Sequence, residues 1–268
     1  MAMNVYGQYI RPIARDVFLR MAGSFSKPSP GIHILNGHYV TPYKPDLNRD
    51  WKIMDDFLAT LSNMSEFLRI EEAIRLISSN QIPTDKCYVS FTYDDGYAEC
   101  YTTIAPLLEK YGTNAAFFLN ANYISSSIEY QKEFNKRVAM NVKSPLTWAQ
   151  VVEMHQGGHV IGAHTLDHVR VSNLSKEEYE YQLKENKRLL EEHLYAPCDY
   201  FAWTYGNFKD FPQSAISITK QYHSTIFSAD NCKHYHSFGD KQVFNRRHIE
   251  AFWPTSHIKY FLSSHIKS

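Results

Sequence analysis

The sequence has no excess of charge of either sign. Its 268 residues contain 28 Lys and Arg against 28 Asp and Glu, so the formal net charge is zero. Proteins that attract nucleic acid through their overall field carry a strongly basic patch or face, and this composition gives no sign of one. We therefore expect no nucleic-acid partner.

Cysteine is also scarce, and its spacing is not that of a metal or disulfide framework. The four cysteines are Cys87, Cys100, Cys198 and Cys232, and no two of them form a CxxC pair. This spacing argues against a structural zinc motif and against a small disulfide-stapled fold. A reducing compartment is the simplest interpretation.

Near the N-terminus there is no apolar run long enough for a signal peptide or a spanning helix. Apolar residues instead recur at helical spacing between Arg11, Arg15 and Arg20. We favour a helix docked on the protein surface, with a helix lying in a membrane interface as the alternative. Residues 1–29 are thus expected to form a helical extension of a cytoplasmic protein, and membrane contact only through this helix. The oligomeric state is left open.

From residue 30 to the end, strand patterns alternate with helix patterns. Short apolar runs such as CYVSF, AAFFL and HVIGA are followed by amphipathic segments. The strongest of these segments begins with Ser175 as N-cap and Glu178 three residues later, a capping box. We predict one α/β domain over residues 30–268, with a parallel strand core and outer helices. In such a barrel the chemistry lies at the carboxyl ends of the strands.

Two acidic residues, Asp94 and Asp95, follow the strand pattern CYVSF within the segment TYDDG. Neighbouring side chains at a strand end point in different directions, so one carboxylate can bind a metal while the other faces a substrate. Gly96 allows a tight turn. Taken alone, DDG is also a common turn sequence, and that alternative stays open.

Two histidines, His164 and His168, follow the strand pattern HVIGA. In a helical turn an i, i+4 pair lies on one face, and both imidazoles can reach one ion. Zinc in hydrolytic sites is held by such a pair and one carboxylate, a role that Asp95 could fill. Surface or capping histidines are the alternative. A third strand end, FAWTYG, could offer backbone N–H groups to an oxyanion, although this signal is weak by itself.

These segments together resemble the NodB-type polysaccharide deacetylases, carbohydrate esterase family 4. The matching stretches are VSFTYDDGY, NAAFFLNANYI, TWAQVVEMHQGGHVIGAHTLDHVRVSNLSKEE and FAWTYG, in the family's order. The resemblance implies a distorted (β/α)7-type barrel and a divalent metal, zinc first, with cobalt, nickel or iron as alternatives. By position, Asp94 matches the catalytic base. The metal ligands are matched by Asp95, His164 and His168. Tyr205 matches the residue whose backbone N–H helps to hold the oxyanion.

The chain departs from this family pattern in two places. The Arg that usually begins the third motif is replaced by Ala202, and no C-terminal Leu-x-His strand supplies a general acid. The segment HILNGHYV resembles the opening strand of a circularly permuted branch, which makes His38 the candidate acid; a structural strand-end histidine is the alternative. The segment VFNRRHIEA resembles that branch's final strand, which implies that Arg247, or else Arg246, orients the base.

The resemblance implies hydrolysis of an N-acetyl or similar N-acyl group on an amino sugar of a glycan, a glycan precursor or an activated sugar. The alternatives are an O-acetyl sugar esterase or a small-amide amidohydrolase that uses the same site. A non-catalytic glycan-binding module is less favoured, because such modules usually lose the ligands or the base that this sequence keeps.

Overall fold

The computed structural model describes residues 5–138, 140, 142–230, 233–238 and 243–267, with side chains from Ile13 onward. Cys232 and the side chains of Val5, Ile10 and Arg11 lie outside this description. The strands are β1 (Gly31–Gly37), β2 (Glu66–Phe67), β3 (Cys87–Tyr93), β4 (Ala115–Leu119), β5 (Val160–Ala163), β6 (Tyr200–Ala202), β7 (Thr225–Ser228), β8 (His236–Ser237), β9 (Val243–Asn245) and β10 (Arg247–His248). The α-helices are α1 (Val5–Phe25), α2 (Leu47–Ser62), α3 (Ile70–Ser78), α4 (Ala105–Lys110), α5 (Ile128–Arg137), α6 (Trp148–Gln156), α7 (Lys176–Leu194), α8 (Ser214–Thr219) and α9 (Thr255–Leu262).

Parallel pairing runs continuously through one sheet, in the order β10, β1, β3, β4, β5, β6, β7, β9, with β8 antiparallel on β9. The strands β9 and β10 are consecutive and separated only by Arg246. The same stretch of chain therefore pairs with β7 through Phe244 and Phe227, and with β1 through Arg247 and Leu35. This double pairing curls the sheet into a barrel, and the predicted α/β barrel with a parallel strand core is confirmed.

The barrel strands are apolar on both faces because helices cover the outside and side chains fill the inside. Every residue of β1 and of β4 is buried. In β4, Phe117 and Phe118 point to opposite sides and belong to separate apolar clusters. Strands of this kind lack the alternation of half-exposed sheets, which is why they appear in the sequence as short continuous apolar runs.

Helix α7 begins at the predicted N-cap, Ser175, and one of its side chains holds the chain at the end of β4. The Ser175 hydroxyl accepts from the Glu178 N–H, and the Glu178 carboxylate accepts from the Ser175 N–H at 2.8 Å. On the inner side of α7, Asn186 is fully buried: its Oδ1 accepts from the Ala121 N–H at 2.8 Å and its Nδ2 donates to the Leu119 carbonyl at 3.0 Å. The loop that leaves β4 is thereby held in a fixed position.

The N-terminal helix α1 lies against α9. Its residue Leu19 is buried, and Gly23 lies so close to the Ser256 backbone that a Cβ there would overlap the Ser256 carbonyl. The ring of Phe18 meets that of Tyr260 edge-on, with centroids 5.6 Å apart. None of the helices in the described part of the chain has the combined length and apolar content needed to cross a bilayer.

Candidate active site

A cavity of about 490 Å³ lies at the carboxyl ends of the barrel strands. The three predicted metal ligands, Asp94 and His38 all line it. Other lining residues are Asn36, Tyr39, Tyr97, Arg137, Val138, Met140, Tyr205, Gly206, Ala229, His248 and Glu250. Residues that follow different strands in the sequence therefore line the same cavity.

Asp94 and Asp95 follow β3 directly and turn apart. The N–H of Asp94 still donates to the Gly37 carbonyl at 3.0 Å, which extends the pairing with β1 by one residue. Asp95 then has a φ of 75° and Gly96 a φ of 78°. Aspartate tolerates this left-handed region better than most residues, and glycine adopts it freely. The turn directs the two neighbouring carboxylates toward different partners.

Asp95, His164 and His168 form a buried group of three ligand-type side chains. Asp95 Oδ1 lies 3.6 Å from His164 Nε2 and 3.3 Å from His168 Nε2. Ligand atoms around a tetrahedral ion with bonds of about 2.0–2.1 Å are about 3.3 Å apart, so this spacing fits a zinc-like ion. The buried Oδ1 accepts no hydrogen bond from the part of the protein that the structure describes. A buried carboxylate oxygen without a donor is the expected state of a metal ligand.

The protonation of His164 suits a ligand. Its Nδ1 lies 2.8 Å from the Ala202 carbonyl oxygen, so Nδ1 carries the proton and the lone pair of Nε2 faces Asp95. Burial lowers the pKa of His164 to about 4, with Asp94 acting in the opposite direction. Burial raises the pKa of Asp95, but His168 and His38 outweigh it and hold that pKa well below its usual range. The site therefore combines a neutral imidazole with an ionised carboxylate.

The two histidines meet through an irregular loop. The helical turn predicted from the i, i+4 spacing is wrong: residues 164–168 are not helical, and both Thr165 and His168 lie in the left-handed region, with φ of 60° and 54°. Such backbone persists only where its surroundings enforce it. Asn120 does so here, since its Nδ2 donates to the carbonyls of His164 and Thr165.

Asp167 ties the same loop to two helices. Its carboxylate accepts from the Tyr130 hydroxyl of α5, from Asn122 Nδ2 at 2.8 Å and from Gln182 Nε2 of α7 at 2.9 Å. The Asp167 N–H donates to Gln182 Oε1 at 3.0 Å. The histidine loop is therefore fixed from both sides.

Asp94 is paired with Arg246. Arg246 Nη1 donates to Asp94 Oδ1 at 2.7 Å and Nη2 donates to Oδ2 at 2.9 Å, and both side chains are buried. The guanidinium also donates to the Ser228 carbonyl and lies over the Phe118 ring, 5.0 Å from its centroid. Burial raises the pKa of Asp94, but the nearby cation of Arg246 outweighs it and holds that pKa below its ordinary value.

Arg247, the first candidate to orient the base, does not contact Asp94. Its guanidinium donates to the Phe261 carbonyl and to the Ser264 hydroxyl near the end of α9. The contact belongs to Arg246, the second candidate. The physical reason is the period of two along an extended chain: shifting by one residue moves the side chain from the barrel interior to the opposite face.

His38 is paired with Glu250, a residue that the sequence analysis did not identify. His38 Nδ1 lies 2.9 Å from Glu250 Oε1, and Glu250 is buried. Burial lowers the pKa of His38, but Glu250 outweighs it and raises that pKa to about 9. Every second residue of this extended segment faces the site, namely Arg246, His248 and Glu250. This period of two in the sequence could have identified Glu250.

Two groups of the described residues bring histidine and carboxylate atoms within 4.8 Å of one another. The first is the group formed by Asp95, His164 and His168. The second is formed by His38, His248 and Glu250, and there the short contact between His38 and Glu250 is already a hydrogen bond. The first group is therefore the candidate metal site, and the second is a proton-bearing pair.

Tyr205 lies on the cavity wall beside the metal-type group. Its φ is 63°, and its ring meets that of His168 edge-on with centroids 4.8 Å apart. The Arg170 guanidinium also lies over the Tyr205 ring, 3.6 Å from its centroid. These two contacts hold the Tyr205 ring at the cavity wall.

Comparison with known proteins gives one consistent family. Residues 81–225 match the family model described as polysaccharide deacetylase. Over 157 residues, 59% of this chain and 50% of the relative, the sequence is 28% identical to YxkH of Bacillus subtilis (strain 168), whose name describes it as a polysaccharide deacetylase. Over 118 residues, 44% of this chain and 46% of the relative, it is 29% identical to the peptidoglycan-N-acetylglucosamine deacetylase of Bacillus cereus. The chain spans about half the length of the curated relatives it matches.

Solved structures show the same fold. The Streptococcus pyogenes deacetylase PplD, in complex with acetate, superposes with a TM-score of 0.65 at 20% identity, over 87% of this chain and 99% of that one. IcaB from Ammonifex degensii gives a TM-score of 0.66 at 21% identity, over 89% and 99%. At these identities the likeness concerns the fold.

Proposed function

This chain belongs to the polysaccharide deacetylase family, and on that premise we propose that it hydrolyses an N-acetyl or similar N-acyl group on an amino sugar of a glycan, a glycan precursor or an activated sugar. The observation that carries the proposal is the buried group of Asp95, His164 and His168 beside the Arg246-paired Asp94, within one cavity. The name of the Bacillus cereus relative supports the N-acetyl amino sugar as the substrate class.

Asp95, His164 and His168 would hold the metal. A divalent ion bound there, zinc first and cobalt, nickel or iron otherwise, supplies Lewis-acid chemistry toward an acyl carbonyl and a water. The fit rests on the donor set of two imidazoles and one carboxylate, the separations near 3.3 Å and the undonated Asp95 Oδ1.

Asp94 is proposed as the general base. A base must be ionised and aimed at the attacking water, and Arg246 supports both requirements. Its charge keeps the Asp94 carboxylate ionised, and its two hydrogen bonds fix the carboxylate plane. This is the role that the family pattern gives to the Arg missing at Ala202, here filled by the residue between β9 and β10.

His38 is proposed as the proton donor to the leaving amine. Glu250 keeps the imidazole protonated through neutral pH, which is the state a general acid needs before the reaction. The Tyr205 backbone N–H is proposed to stabilise the oxyanion, a role worth about 3–4 kcal/mol for one donor. Tyr39 lies on the cavity wall, and its ring stacks on that of Phe252 with centroids 6.3 Å apart. We propose that it offers an aromatic face to the sugar.

The test is a product assay with the zinc-loaded chain and an oligosaccharide of N-acetylglucosamine. We expect equal amounts of released acetate and new free amine. An O-acetyl sugar is assayed in parallel. Release of acetate from that sugar, with no free amine formed from the oligosaccharide, would make the chain an esterase. If the zinc-loaded protein bound the oligosaccharide without releasing acetate, it would be a binding module. Asp94→Asn is the control, because it should keep the metal and lose turnover.

A further inference from the structure

Helix α1 exposes apolar side chains on the face that points away from the barrel. Among its described side chains, from Ile13 onward, five large apolar residues are at least half exposed. They are Ile13 at 65%, Val17 at 50%, Phe18 at 56%, Met21 at 65% and Phe25 at 89%. These five residues, which we call the outward face, form a continuous stripe because they recur at helical spacing on one side.

Apart from the edge-on contact of Phe18 with Tyr260, packing within the described part of the protein does not account for the outward face. At 100° per residue, Met21 lies on the side of the helix opposite Leu19 and Gly23, which make the contact with α9. An ordinary docked helix has one apolar stripe, directed at its support, and a polar face toward water. In α1 the supporting contact is complete and a second apolar stripe remains exposed.

Positive charges border the outward face on both edges. By the same geometry, Arg15 lies beyond Phe18 on one edge and Arg20 beyond Ile13 on the other, and both are exposed. Asp16 lies toward α9, where it contacts His257 at 3.2 Å and Arg20 at 2.7 Å. Apolar side chains flanked by long cationic ones are typical of helices that lie in a membrane surface, where the cations reach lipid phosphates.

We propose that α1 binds the surface of an anionic lipid bilayer, with the outward face in the boundary between headgroups and acyl chains and with Arg15 and Arg20 on lipid phosphates. A second copy of the chain fits less well, because it would bring the Arg15 and Arg20 edges against identical cationic edges, whereas lipid phosphates carry the opposite charge. The proposal is independent of the enzymatic activity, since it concerns α1 alone.

The test is co-sedimentation of the full chain with vesicles of phosphatidylcholine, with and without phosphatidylglycerol. We expect binding to the anionic vesicles, weakened by added salt. Replacing Met21 and Val17 together by Asp should abolish it, and each single Arg15→Gln or Arg20→Gln change should weaken it about fivefold. The matched control is Ile128→Asp, because Ile128 is equally exposed, at 60%, on another helix. Circular dichroism and thermal unfolding establish that each variant is folded.

Two results would overturn the proposal. One is sedimentation that does not depend on phosphatidylglycerol, or that the Met21 and Val17 double variant retains. The other is a dimer of the unchanged chain in analytical ultracentrifugation that the double variant abolishes, together with no vesicle binding. The outward face would then be buried against a second copy.

Discussion

Arg246 and Asp94 are joined by two parallel hydrogen bonds, Nη1 to Oδ1 at 2.7 Å and Nη2 to Oδ2 at 2.9 Å, with both side chains buried. A bidentate pair fixes the plane of the carboxylate as well as its charge. Removing the cation from a buried pair leaves an uncompensated carboxylate, which typically costs about 3–5 kcal/mol. Both the activity and the stability of the chain should therefore depend on this contact.

Arg246→Lys should lower kcat/KM about 100-fold, because a lysine cannot hold both oxygens and a misplaced reactive group costs about this much. Its unfolding midpoint in urea should also fall. The matched control is Arg247→Lys, which changes the neighbouring residue that contacts Phe261 and Ser264. That variant should lose stability but keep kcat/KM within a few-fold. Equal losses of activity in the two variants would contradict the assignment.

The same two arginines show how much of the site could be predicted from the sequence. Local apolar runs and the order of the motifs were enough to predict the barrel strands, the Asp94–Asp95 turn and the two histidines. These patterns are properties of residues that are close together in the sequence. The choice between Arg246 and Arg247 depends on the register of the last strand, which long-range pairing with β1 and β7 determines. Glu250 was missed because its role exists only through contact with His38, which lies at the other end of the chain.

The link between His38 and Glu250 should make stability depend on pH. The pKa of His38 is raised from 6.5 to about 9 in the folded protein, so the native state binds this proton more tightly than the unfolded chain. The stabilisation is complete below about pH 6.5 and is lost as the pH rises through about 9. Urea unfolding at several pH values in this window should show it. Glu250→Gln should remove the dependence, whereas Glu192→Gln, a change in an exposed pair with Arg188, should not.

Activity should follow the same proton if His38 is the donor. The basic limb of the kcat/KM profile should fall near pH 9 in the unchanged chain. Burial alone lowers the pKa of His38, so Glu250→Gln should move this limb to lower pH. His38→Ala should remove the limb together with most of the turnover. A basic limb that stays in place in Glu250→Gln would assign the proton to another group.

Zinc should stabilise the chain through Asp95, His164 and His168. A ligand at 100 times its Kd adds about 2.7 kcal/mol. For a chain of this size, that corresponds to a rise in Tm of roughly 5 °C. Differential scanning of chelator-treated protein, with and without zinc, measures the shift. His164→Ala should abolish it, and Asp94→Asn and the exposed-site control His265→Ala should retain it. A full shift in His164→Ala would remove His164 from the ligand set.

Asp167 should control metal affinity without being a ligand. It holds the histidine loop against α5 and α7 through Tyr130, Asn122 and Gln182, and the left-handed φ of His168 depends on such support. Supporting groups of this kind typically change metal affinity by about 10–100-fold. Asp167→Ala should therefore raise the zinc Kd by this factor in calorimetry, while kcat at saturating zinc stays near that of the unchanged chain. The matched control is Asp199→Ala, which removes an exposed carboxylate beside Lys187 and should leave the Kd unchanged. A Kd that does not move in Asp167→Ala would mean that Asn120 and the β5 strand end hold the loop without it.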